Sequence, residues 1–212
     1  MNRRLMLGGL AIGAGALILL APLAVRQFRL AEQRRMVERL EWAALRQQPR
    51  PVGPGQTQVT PPGQAPATEP EPPGAPTPAT PEPDPEYLIE IPKLGVRYVV
   101  MPTIENDDLA RGPGHYPGTG LPGQPGNAAI AGHRTVKGIA SYFYNLHLLA
   151  PGDTIIVRYP DSTLTFTVER VFITGAYDLT VLAPTPYPAL TLTTCDPPGT
   201  DEHRLIVQAR LD

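Results

Sequence analysis

Three side chains in this sequence could act together on an acyl group: Cys195, the only cysteine, His133 and Arg204. Cys195 ends the run ALTLTTC (189–195), and His133 follows the apolar run NAAIAG (127–132). Arg204 opens RLIVQAR (204–210) after a loop of eight residues, 196–203. If the last two runs pair as an antiparallel hairpin, the end of one lies beside the start of the next. Cys195 and Arg204 then share one rim of a sheet, and a neighbouring strand that ends there brings in His133. A free thiol has a pKa of about 8.5 and is largely un-ionised at neutral pH, so a neighbouring cation that favours the charged sulfur makes it a better nucleophile. An imidazolium can protonate a departing amine and later take a proton from an incoming one. Arginine moves no protons, but its fork of donors can stabilise an oxyanion or hold a substrate backbone. The product of such an attack is a thioester, which amines attack readily. That is the chemistry of transpeptidation.

The elements that would have to position these groups fall in the last part of the chain. Of 212 residues, 28 are proline, and 14 of those lie among the 37 residues 49–85. Such a stretch builds no packed core and favours extended, disordered backbone with a reach that could approach ~100 Å, a stand-off spacer. Residues 86–212 remain as a single folded domain. There the runs 87–91, 96–101, 127–132, 154–159, 163–174, 189–195 and 204–210 read as strands, separated by Gly/Pro-rich turns. Only 106–110 and 139–146 look able to form helical turns. Many short strands predict an all-β closed barrel or sandwich.

Ahead of the spacer, residues 5–25 form an uncharged apolar stretch of 21 residues flanked by Arg3, Arg4 and Arg26. At ~1.5 Å per residue it matches a bilayer core of about 30 Å, so 1–25 reads as a transmembrane signal-anchor rather than a cleaved signal. Residues 26–48, rich in Leu, Ala, Glu, Arg and Gln, predict a juxtamembrane helix. Leu30, Val37 and Ala44 recur every seven residues with Leu40 between them; too few heptads follow for a strong coiled coil, and a solvated helix is expected. Arginines outnumber the N-terminal ones after the apolar stretch, a bias that taken alone points the domain inward. The spacer and the thiol chemistry place it outside the cell. Net charge is −2, with no basic patch for nucleic acid.

The motif TLTTC at 191–195 resembles the TLxTC signature of sortases. GHRT at 132–135, preceded by GPGHYPGTGLPGQPGNAAIA at 112–131, is similar to the histidine region of class E sortases, with class D next. The resemblance spans 87–211. It implies an eight-stranded sortase-type β-barrel and a membrane-anchored cysteine transpeptidase. Such an enzyme cleaves an LPxTG- or LAxTG-like sorting signal between Thr and Gly and passes the acyl group to an amine of a peptidoglycan precursor such as lipid II, or of a pilin. Carried over by motif, the histidine is His133, the nucleophile Cys195 and the arginine Arg204. No cofactor is implied.

Other residues carry weaker expectations. Thr194 would touch substrate or pack its strand, and Tyr142 and Tyr187 could line the groove for the sorting signal. His115, His147 and His203 are expected to be structural. Glu105 to Asp108 lack the spacing of a calcium loop, so no metal site is expected, and Asn106, Asp107 and Asp108 fit a helix cap better. A non-catalytic adhesin or scaffold barrel of the same descent would lack one of the three groups, and all three are present. An L,D-transpeptidase would carry its histidine shortly before the cysteine, whereas 62 residues separate His133 from Cys195.

Overall fold

A computed structural model describes residues 24–41 and 87–212. The apolar stretch up to residue 23 and the proline-rich linker lie outside the described residues, as do 42–48 of the expected juxtamembrane helix. Among the described residues no helix is long and apolar enough to cross a membrane.

Helix α1 covers 24–41. The domain then builds strands β1 (Leu88–Ile91), β2 (Val96–Val99), β3 (Gly114–His115), β4 (Gly126–Ala131), β5 (Thr135–Val136), β6 (Ile139–Ala140), β7 (Thr154–Arg158), β8 (Thr163–Gly175), β9 (Pro188–Asp196) and β10 (His203–Leu211), with helix α2 (Asn106–Arg111) between β2 and β3. Eight strands form one sheet in the order β2-β1-β7-β8-β10-β9-β4-β3, and β5–β6 is a separate hairpin. Strand β7 alternates buried and half-buried positions, whereas β4 and most of β9 are buried on both faces. In β9, Leu190 and Leu192 point into the core with Leu205, Val207 and Ala209 of β10 and Ala128 and Ile130 of β4. The two sheet edges meet where Met101 bridges Gly114, with Met101 N–H donating to Pro113 O at 2.7 Å and His115 N–H to Met101 O at 2.9 Å. Curling the sheet this way closes the barrel and leaves little edge exposed.

One expectation is corrected. Helix α1 is not solvated along its length but docks on the edge strand β2. Gln33, 1% exposed, accepts from Val99 N–H at 2.8 Å through its amide oxygen and donates through Nε2 to Arg111 O at 2.6 Å and Val99 O at 3.4 Å. The side-chain amide thus pairs with the edge backbone as another strand would. Val37 joins Leu88, Val99 and Met101 in a small apolar cluster beside it, and Glu41 pairs with Arg97. Gly112 must be glycine here, because a Cβ would collide with the Gln33 amide and lie 2.9 Å from Val99 O. Of the apolar positions that read as a coiled-coil seam, Leu30, Val37 and Leu40 pack on the domain itself.

The predicted turn at 139–146 also resolves differently. Residues 139–140 are β6, paired with β5 across Lys137 and Gly138, whose φ values of 50° and 75° make a tight hairpin turn. Only Leu146–Leu148 forms a 3-10 turn.

Candidate active site

Strands β9 and β10 are antiparallel neighbours, and Cys195 is the register partner of Arg204. Side chains directly opposite in such a pair have Cβ atoms about 5 Å apart. On the other side of β9 runs β4, parallel to it, with Ala131 opposite Thr193. The chain leaving β4 stays fastened to β9: Gly132 N–H donates to Thr193 O at 3.0 Å, and Thr194 Oγ1 donates to Gly132 O at 2.7 Å. His133 follows at once, its carbonyl accepting from Phe143 N–H at 3.1 Å. The three groups predicted from sequence are therefore brought together at one end of the sheet, Cys195 and Arg204 on β9 and β10 and His133 in the loop leaving the adjacent β4. They sit on its outer face. Thr194 shares the inward side with Leu190 and Leu192, so Cys195 faces away from the barrel core with Thr191 and Thr193.

The thiol of Cys195 is partly accessible, as are His133 and Arg204. Burial lowers the His133 pKa below its ordinary value, and the Arg29 guanidinium on α1 lowers it further. Arg204 donates twice from one terminal nitrogen, to Asp201 O at 3.1 Å and His203 O at 3.0 Å. A guanidinium carries five N–H donors, so most of the fork is left for a substrate.

Two neighbours escaped the sequence reading. Arg134 is 5% exposed. It forms an ion pair with Asp196 and donates to Cys195 O at 3.3 Å, while its Nε has no partner among the described residues. It thus ties the residue after His133 to the residue after Cys195. The repeated adjacency (His-Arg, Cys-Asp) was the available signal, but opposite charges 62 residues apart cannot be matched without the strand pairing. Tyr116, half-buried, has its phenol pKa raised by burial, with the Arg204 charge lowering and Cys195 raising it. Its hydroxyl therefore lies within electrostatic reach of both groups.

The remaining expected residues lie elsewhere. Thr194 is buried and holds the His133 loop. Tyr142 is buried against Tyr98, its hydroxyl donating to Arg111 O at 2.8 Å. Tyr187 stands just before β9, eight residues and roughly 26 Å of strand from Cys195 at ~3.3 Å per residue, beneath the Arg210 guanidinium at 4.2 Å. His115 is buried and bonded to the Tyr87 hydroxyl at 2.9 Å. Among the described residues no cluster of His, Cys, Asp or Glu could hold a metal ion.

Comparison with known proteins gives one family. The sortase domain model matches residues 89–212. The chain is similar to Sortase SrtE1 of Streptomyces coelicolor, 32% identical over 140 residues, covering 58% of this chain and 39% of that protein. It thus spans about two fifths of the length of this curated relative. Among solved structures, a sortase E variant from Streptomyces avermitilis is 32% identical with TM-score 0.54, covering 61% of this chain and 88% of that one. The Clostridium perfringens Sortase D5 transpeptidase is 31% identical with TM-score 0.53, covering 59% and 78%.

Proposed function

Because the chain belongs to the sortase family, with its likeness running to class E, we propose that it is a membrane-anchored, extracytoplasmic cysteine transpeptidase. The observation that carries this reading is the register of β9 and β10: Cys195 opposite Arg204, with the His133 loop hydrogen-bonded to β9 at Thr193 and Thr194.

In this reaction the Cys195 sulfur attacks the carbonyl carbon of the Thr–Gly bond in an LAxTG- or LPxTG-like signal. The oxyanion that forms accepts from the free donors of Arg204, whose backbone bonds hold the guanidinium in place before the reaction starts. The C–N bond breaks, and the departing amine takes a proton from the His133 imidazolium. A thioester is left on Cys195. An incoming amine, from a peptidoglycan precursor such as lipid II or from a pilin, then attacks the thioester and gives a proton to His133. The C–S bond breaks and the thiolate returns. Atoms and charge balance over the cycle without a cofactor. Thr194 serves by holding Gly132 and so the height of His133. Tyr116, whose phenol feels both the Arg204 and the Cys195 charge, is assigned a substrate contact in this reading; Tyr187 lies far along β9 from the thiol.

The test is incubation with LAxTG and LPxTG peptides plus a small amine, followed by intact-mass measurement. Mass added at Cys195, absent in Cys195→Ala, with transfer to the amine, supports the reading. Unmodified protein and unchanged peptide across both signals overturn it.

A further inference from the structure

Helix α1 and the β5–β6 hairpin enclose a cavity of about 340 Å³ that the chemistry above does not use. Its apolar lining includes Leu30, Val136 and Tyr142, and its cations are Arg26, Arg29 and Lys137. No acidic side chain among the described residues lines it. Among the described residues none of the three cations has a carboxylate partner. Glu32, one turn along α1, is engaged by Arg111 at 3.6 Å instead. Three uncompensated positive charges around a partly enclosed apolar space favour a ligand that is anionic at one end and apolar at the other.

Position narrows the ligand's role. The hairpin begins two residues after His133, and the Arg29 charge is felt at that imidazole. The cavity therefore adjoins the group that must receive a proton from the incoming amine. It also includes Val25, the last residue of the apolar stretch 5–25. A ligand anchored in the same bilayer as that stretch would present its headgroup at this height. We propose that the cavity binds a diphosphate-bearing amphiphile and seats the amine acceptor through that headgroup. The acceptor role rests on the transpeptidase reading; the binding of the amphiphile does not.

The probes are farnesyl diphosphate, farnesol and inorganic pyrophosphate, titrated into the full chain in a non-ionic detergent. Farnesyl diphosphate should bind more tightly than either half-molecule, and less tightly as salt is raised. The variant Arg26→Gln with Lys137→Asn removes two charges, and asparagine tolerates the positive φ at 137. Its affinity for farnesyl diphosphate should fall about tenfold, the effect of losing roughly 1.4 kcal/mol. Acylation of Cys195 and transfer to hydroxylamine should be unchanged, since neither side chain touches the thiol, imidazole or guanidinium. Farnesyl diphosphate should also inhibit transfer to a lipid-linked diphosphate amine while sparing hydroxylamine. Equal binding by wild type and variant overturns the site. So does pyrophosphate binding as tightly as the amphiphile, or farnesol doing so. Inhibition of both transfers alike overturns the acceptor role. If the wild type binds farnesyl diphosphate in this charge-dependent way but never acylates Cys195, the cavity stands and the transpeptidase reading falls.

Discussion

The imidazole of His133 answers to two influences of the same sign: burial, which removes water from the charged form, and the Arg29 cation, which repels it. Replacing Arg29 with glutamine removes the second, so the His133 pKa should rise toward its ordinary value of about 6.5. An NMR titration of the imidazole would read the shift, and a pKa unchanged or lowered would contradict the arrangement. The stability consequence has a definite sign. A lowered folded-state pKa means the unfolded chain binds the proton more readily, so stability is full above about 6.5 and is lost as pH falls through the folded value. Arg29→Gln should flatten that loss. Arg134 makes a second prediction at this scale. Its removal strands the Asp196 carboxylate, whose side chain is 18% exposed, and frees the Cys195 carbonyl. Arg134→Ala should lower stability by about 3 kcal/mol in chemical denaturation, the usual order for breaking a buried pair. Arg134→Lys keeps the charge but not the planar, rigid guanidinium whose one terminal nitrogen reaches both Asp196 and Cys195 O. It should therefore retain much of the stability while slowing thioester formation, with little change in KM.

Among the elements, the segment between β4 and β5 is closely constrained. A Cβ on Gly132 would lie 2.6 Å from Phe143 Cδ2, with the backbone pinned on both sides by Thr193 and Thr194. Gly132→Ala should cost about 1–3 kcal/mol by overpacking, measured as a drop in unfolding midpoint. It should also slow acylation, because His133 moves with the displaced loop. This constraint explains which parts of the fold were readable beforehand. The seven long runs show apolar alternation or β-branched content, and each became a strand within a residue or two of its expected bounds. Cys195 and Arg204 were placed opposite each other by assuming only a hairpin. By contrast, β3, β5 and β6 have two residues each, too few for any period to register. The burial of Arg134 depends on Asp196 arriving through the β4–β9 pairing. The docking of α1 depends on a glutamine, a residue whose type says solvent, completing the hydrogen bonds of an edge strand. Gln33→Ala should therefore expose the Val99 amide. Hydrogen exchange at Val99 ought to accelerate by orders of magnitude while the amides of β9 and β10 stay protected; unchanged exchange at Val99 would show that another group closes that edge.

At the scale of the whole molecule, the docked helix changes what the proline-rich segment can do. As a spacer it was expected to hold the catalytic domain far from the apolar stretch. Yet Glu41 at the end of α1 pairs with Arg97 on β2, and β2 pairs with β1, which begins one residue after Tyr87. Both flanks of residues 42–86 are thus fixed on the same body, and the linker's length does not set the distance between α1 and the domain. The domain instead follows α1, and the cavity beside α1 follows with it. The consequence can be tested by placing a protease site in the middle of the linker. After complete cleavage, the N-terminal fragment should remain bound to 87–212 and copurify with it, because Gln33, Val37 and Glu41 still hold the interface. Val37→Asp buries a charge in the cluster with Leu88, Val99 and Met101 and should release the cleaved fragment. Its loss should also raise the His133 pKa, since the burial and the Arg29 charge that depress it leave together. Fragments of the wild type that part on cleavage would mean that the linker alone keeps helix and domain together, and that the cavity lacks one of its walls.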